Sequence, residues 1–110
     1  MSPKLYSAIT PLLKNEFNAK ETMELLTYGA NRARYFCWGV TQKIGLYGKG
    51  LLLKVNARNH NGYVLITYDG GQDLYEVHIL SIFGKVLKSF EQVYFDVLSE
   101  LIDGEIEAKK

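Results

Sequence analysis

A chain of 110 residues with 47% hydrophobic and 23% charged residues and a net charge of +1 has the size and balance of one globular domain. That balance excludes a disordered chain, and no apolar run approaches membrane-spanning length. The single cysteine, Cys37, excludes an internal disulfide and a multi-cysteine zinc site. With no signal-peptide pattern in the opening MSPKLYSAIT, the expected compartment is a reducing cytoplasm, with no membrane partner.

In chain order, Ser2-Pro3 suits a cap and first-turn proline, while Pro11 would interrupt a long helix. Two short turns divided at Thr10-Pro11 are expected. Asn18 is placed to cap a second helix, with Glu21 as its box-like partner. Met23, Leu25 and Leu26 give that helix an apolar side, and Gly29 supplies a left-handed stop.

The next stretch, YGANRARYFCWG (28–39), reads as extended. Arg32, Arg34, Phe36, Trp38 and Val40 then share one side, and Ala33, Tyr35, Cys37 and Gly39 the other. Small residues alternating with aromatics predict a packed strand or a tight helix-to-sheet transition, with Cys37 buried and inert. GLYGKG (45–50) lacks the spacing and hydroxyl of a phosphate loop. Its GxxG leads into a strand instead of joining two helices as in a KH domain, so a connecting loop is expected.

LLLKVNAR (51–58), GYVLITYD (62–69) and DLYEVHIL (73–80) read as strands, with turns at 59–61 and 69–72. Val64, Ile66 and Tyr68 share one face, as do Tyr75, Val77 and Ile79. Val86-Leu87 adds a short fourth strand. Ser89 and Gln92 form a capping-box pattern ahead of an apolar stripe of Phe90, Val93, Tyr94, Val97, Leu98, Leu101 and Ile102, which predicts an amphipathic helix over 90–103. A charge at Val97 would then unfold the domain. Gly104 ends the helix, leaving 105–110 as a frayed tail. The expected fold is one α+β domain over 1–104: N-terminal helices, an antiparallel three- to four-stranded meander, and the C-terminal helix packed on one face.

Chemistry is sparse. His60 and His78 lie in no metal-ligand spacing with Cys37. His78 shares a strand face with Glu76, which alternation assigns to the polar side of a half-exposed strand. Asp69 and Asp73 flank a Gly-Gly turn that favours aspartate on geometric grounds, and no serine sits in a nucleophile elbow. No enzyme, cofactor or metal site is expected.

Charge is split along the chain. Residues 1–60 carry nine Lys/Arg against three acids, and residues 61–110 four Lys against nine acids. Two partner-binding candidates follow. One is basic and aromatic: Arg32, Arg34, Trp38, Lys43, Tyr47, Lys49, Lys54 and Arg58, suited to phosphate neutralisation and base stacking or to interface anchoring. The other is acidic: Glu91, Asp96, Glu100 and Asp103, continued by Glu105 and Glu107, suited to a cationic channel. Neutralisation of one half by the other within the fold is the alternative.

The ordered motifs Gly29-Ala-Asn31, Tyr63-Val-Leu-Ile-Thr67, Asp73-Leu-Tyr-Glu-Val77 and Val93-Tyr-Phe-Asp-Val-Leu98 resemble a group of small proteins of bacteriophages and integrated elements of gut bacteria. The likeness covers roughly residues 22–102 and departs from the group in its longer N-terminal segment and at Cys37-Trp38. The group has no established activity, so no residue role transfers. The resemblance implies a mobile-element origin and a bacterial host cytoplasm. The expected function is non-enzymatic inhibition of a host nucleic-acid-guided defence effector, anti-CRISPR-like, by contact with a host protein or protein–RNA complex. The alternative is a nucleic-acid-binding accessory protein. Oligomeric state is left open.

Overall fold

The computed structural model describes residues 7, 9–13, 19–29, 31–46, 48–69 and 74–107. Asn18, Tyr47 and the turn at 70–73 lie outside them. A 3-10 turn at Thr10–Leu12 carries Pro11 in its first positions, where a missing N–H is harmless. Three α-helices follow among the described residues: α1 (Ala19–Thr27), α2 (Asn31–Cys37) and α3 (Leu98–Ile106). Between α2 and α3 run β1 (Val40–Gly45), β2 (Leu51–Asn56), β3 (Asn61–Asp69), β4 (Leu74–Leu80) and β5 (Val86–Val93). The strands form one sheet in the order β1-β2-β3-β4-β5, every neighbouring pair antiparallel. The α+β meander is as the sequence predicts, with five strands instead of three or four.

The sheet buries both faces. On one, Leu53, Val55, Val64, Ile66, Val77 and Ile79 pack against Leu26 of α1, Trp38, and Leu98, Ile102 and Ile106 of α3. On the other, Leu46, Leu52, Tyr63, Leu65 and Leu80 lie under Ile9, with Leu12 and Leu13 beside it. Burial on both faces explains why β2 reads as an unbroken Leu51-Leu52-Leu53 run, without the alternation of a half-exposed strand.

Three sequence expectations are corrected. The stretch at 31–37 is helical. Gly29 turns the chain with φ +57°, and the Asn31 side chain donates to the Leu25 carbonyl at 3.1 Å, tying α2 to the end of α1. Helical spacing sets Arg32 against Phe36, with the guanidinium carbon 5.5 Å from the ring centroid. It also turns Cys37 outward, so the cysteine is exposed and not buried.

The predicted 90–103 helix is half strand. Residues 86–93 form β5, a turn occupies 94–97, and α3 begins at Leu98. The misleading feature is a bulge. Val77 pairs with Phe90 and Tyr75 with Val93, so three steps on β5 match two on β4, and Gln92 takes φ +57°. The bulge brings Phe90 and Val93 to the same sheet face at a helix-like spacing of three. Ser89, the expected cap, instead lies 2.8 Å from His78 Nδ1 across the β4–β5 ladder.

Gly104 does not end α3. The helix continues to Ile106, which is fully buried. Its end is anchored by the Asn59 N–H, which donates to the Ile106 carbonyl at 2.7 Å, and by the Arg58 N–H, which donates to Glu107 Oε1 at 3.1 Å. These tertiary contacts offset the helix cost of one glycine. Residues 108–110 of the expected tail lie outside the described residues.

A candidate protein-binding face at the helix junction

Helix α1 has two working sides. Thr22 and Leu26, one turn apart, are buried, and the Thr22 hydroxyl donates to the Tyr75 phenol oxygen at 3.4 Å. Glu21, Glu24, Leu25 and Tyr28 follow i, i+3, i+4, i+7 spacing and line a groove of about 280 Å³ completed by Tyr75 and Phe95. Tyr75 is fixed beneath it by its bond to Thr22 and by a T-shaped contact with Tyr68 at 5.2 Å. Phe95 enters from the β5–α3 turn, which the Val97 N–H closes onto the Tyr94 carbonyl at 3.1 Å. Tyr28 is 81% and Phe95 64% exposed, so the groove sets two large rings in water. Tyr94 and Val97 of the same turn are also exposed.

The predicted basic site is not brought together. Lys43 shares the sheet face of its partner Leu53, and Lys54, next along the chain from Leu53, points to the other face. Lys49 sits in the β1–β2 turn, whereas Arg58 sits beyond the opposite end of β2. Arg32 stacks on Phe36, and Arg34 binds Asn31 Oδ1 at 3.0 Å and pairs with Glu100 at 3.7 Å. Trp38 is wholly buried, with its indole on Asp103. Tyr47 lies outside the described residues.

The predicted acidic helix face is likewise dispersed. Glu91 belongs to β5 and Asp96 to the turn before α3. Glu100 faces Arg34, Asp103 accepts from Trp38, Glu105 pairs with Lys88 at 3.0 Å, and Glu107 caps the Arg58 amide. Of these contacts, Arg34–Glu100 joins a basic side chain of the first half to an acid of the second.

The remaining polar groups are separately engaged. His78 is buried on an inner strand, not half-exposed, and holds Ser89, while Glu76 accepts from Thr67 Oγ1 at 3.1 Å. His60 Nε2 lies 3.3 Å from the Tyr63 carbonyl oxygen. Residues 46 and 48–50 lie between β1 and β2, where the Leu46 N–H donates to the Gly50 carbonyl at 2.9 Å. Burial pushes the Tyr35 phenol above its usual range. Among the described residues no cluster of three or more His, Cys, Asp or Glu is placed to hold a metal ion, and no helix is long and apolar enough to cross a membrane.

Sequence reasoning missed the groove for two reasons. It placed Phe95 on a helix, and it had Leu25 only on the core side, where the residue does pack with Met23 and Leu26, without its second contact in the groove. The i, i+3, i+4, i+7 pattern of Glu21, Glu24, Leu25 and Tyr28 was the available signal. Comparison of the chain with protein-family models, curated proteins and solved structures finds no match.

Proposed function

We propose that the protein is a non-enzymatic binding module that acts by protein–protein contact through the face around Tyr28 and Phe95. The observation that carries this reading is the pairing of those two exposed rings across a groove. Exposed aromatics gathered at a concave site are the usual anchors of protein interfaces. The target class is that expected from the phage-type resemblance: a host nucleic-acid-guided defence effector, inhibited by occlusion of its working surface. Direct nucleic-acid binding has less support, because the cations lie on both sheet faces and at both ends of β2.

The test is affinity purification from bacteria carrying a guided defence nuclease, with the intact protein and with the Tyr28→Ala/Phe95→Ala variant. Both side chains are exposed, so the variant keeps its fold. The expected result is stoichiometric capture of a nuclease subunit by the intact protein and a drop of at least about tenfold for the variant, as for loss of two interface anchors. Recovery of free RNA or DNA without protein, or equal capture by the variant, overturns the proposal.

A further inference from the structure

We infer that the groove between α1 and the β5–α3 turn receives an arginine side chain presented by the partner protein, an inference that rests on the protein-contact reading above. The groove walls are aromatic: Tyr28 and Phe95 outside, and Tyr75, itself 9% exposed, within. Its remaining polar lining is two carboxylates, Glu21 and Glu24, one turn apart on α1, and among the described residues no lysine or arginine lines it. Glu24 makes no ion pair among the described residues.

That combination selects a cation. Ring faces attract positive charge through their quadrupole, and carboxylates add Coulomb attraction and directed acceptors. A purely apolar occupant would strip water from the Glu24 carboxylate and give it no partner, and an anion would be repelled by it. Between the two basic side chains, guanidinium fits better. It is planar and weakly hydrated, and it stacks on a ring while donating in its own plane to carboxylates. At about 280 Å³ the groove is smaller than most drug-sized ligand sites and holds one long side chain.

The test uses two blocked amino acids, N-acetyl-arginine amide and its neutral near-isostere N-acetyl-citrulline amide. Each is titrated at constant ionic strength into the full ¹⁵N-labelled chain and followed by amide chemical shifts. Arginine should shift the amides of 21–28 and 94–97 saturably, with a dissociation constant on the order of millimolar for so small a ligand. Citrulline should bind at least about fivefold more weakly, and Glu21→Gln/Glu24→Gln should lower arginine to the citrulline level. Equal affinity for the two ligands, no shift in those segments, or an arginine affinity unchanged in the Gln variant overturns the inference. The two proposals fail separately. A captured nuclease with no arginine preference leaves the contact reading standing and removes the arginine. Arginine binding without a captured nuclease leaves the groove's preference for arginine standing and removes the nuclease as the protein that presents it.

Discussion

Trp38 and Asp103, 65 residues apart, meet through a hydrogen bond in which the indole Nε1 donates to Oδ1 at 3.0 Å. The pair joins the end of α2 to the middle of α3 and lets the largest side chain of the chain be wholly buried without an unpaired N–H. Arg34–Glu100, at 3.7 Å, spans the same helix pair.

Asp103→Ala should therefore destabilise the fold by about 1–3 kcal/mol, the cost of stranding a buried donor. Asp103→Asn keeps an acceptor oxygen and should recover most of that loss. Urea unfolding followed by tryptophan fluorescence reads both variants. An unchanged midpoint for the alanine variant would mean that the indole finds another acceptor.

Tyr35 packs against Trp38, with ring centroids 5.7 Å apart, and burial raises its folded-state pKa above 10.0. Below the unfolded value both states hold the proton and the full stability is present. As pH rises through 10 the unfolded chain loses its proton first and binds fewer protons than the native state, so stability falls. Thermal melting across that window should decline less steeply for Tyr35→Phe. Parallel curves would show that this phenol titrates alike in both states.

Two glycines with nearly equal φ separate backbone strain from steric clash. Gly29 at +57° has open space where a Cβ would sit, whereas a Cβ on Gly39 at +61° would lie 2.5 Å from the Asn56 carbonyl oxygen. Gly29→Ala should cost about 1–2 kcal/mol, the left-handed penalty alone. Gly39→Ala should cost about 1–3 kcal/mol more, because the strand backbone it meets cannot rotate away. Equal losses in denaturant midpoint would remove the clash argument.

What the sequence carried was the middle of the sheet, β2 to β4, while β1 was not expected and β5 was expected only at Val86-Leu87. Val64, Ile66 and Tyr68 opposite Tyr75, Val77 and Ile79 were legible because strand alternation depends on local spacing alone, and the register Val64↔Ile79, Ile66↔Val77 and Tyr68↔Tyr75 keeps them on one face. Local spacing failed where a non-local contact decided the outcome. The bulge at Gln92 imitates a helix period, Ile106 is held by the chain at 58–59, and residues 31–37 become helical through an Asn31 bond to α1. The groove was illegible for the same reason, since Phe95 joins α1 only once β5 is known to be a strand.

Cys37 lies at the exposed end of α2, not between two packed aromatics. In the native protein it should react fully with a water-soluble disulfide reagent, at a rate within about tenfold of a small-molecule thiol, because access no longer limits attack. A thiol that reacts only in denaturant would place it back in the core.

Val97 and Ile102 decide between the two readings of the C-terminal segment. If residues 90–103 formed one helix, Val97 would lie on its apolar stripe and a charge there would unfold the domain. Instead Val97 is the residue before the first turn of α3, is 41% exposed, and has no side-chain cap bond, whereas Ile102 is wholly buried. Aspartate is favoured at an N-cap because its carboxylate accepts from the free amides of the first turn. Here that gain is opposed by the nearby charges of Asp96 and Glu100. Val97→Asp should therefore change stability by no more than about 1 kcal/mol in either direction. Ile102→Asp puts an unpaired charge into the core and should cost several kcal/mol, enough to unfold a marginal domain of this size. Thermal melts by far-UV circular dichroism distinguish the two. A Val97→Asp variant that unfolds as Ile102→Asp does would reinstate the long helix, and a tolerated Val97→Asp beside an unfolded Ile102→Asp agrees with a helix that starts after Val97.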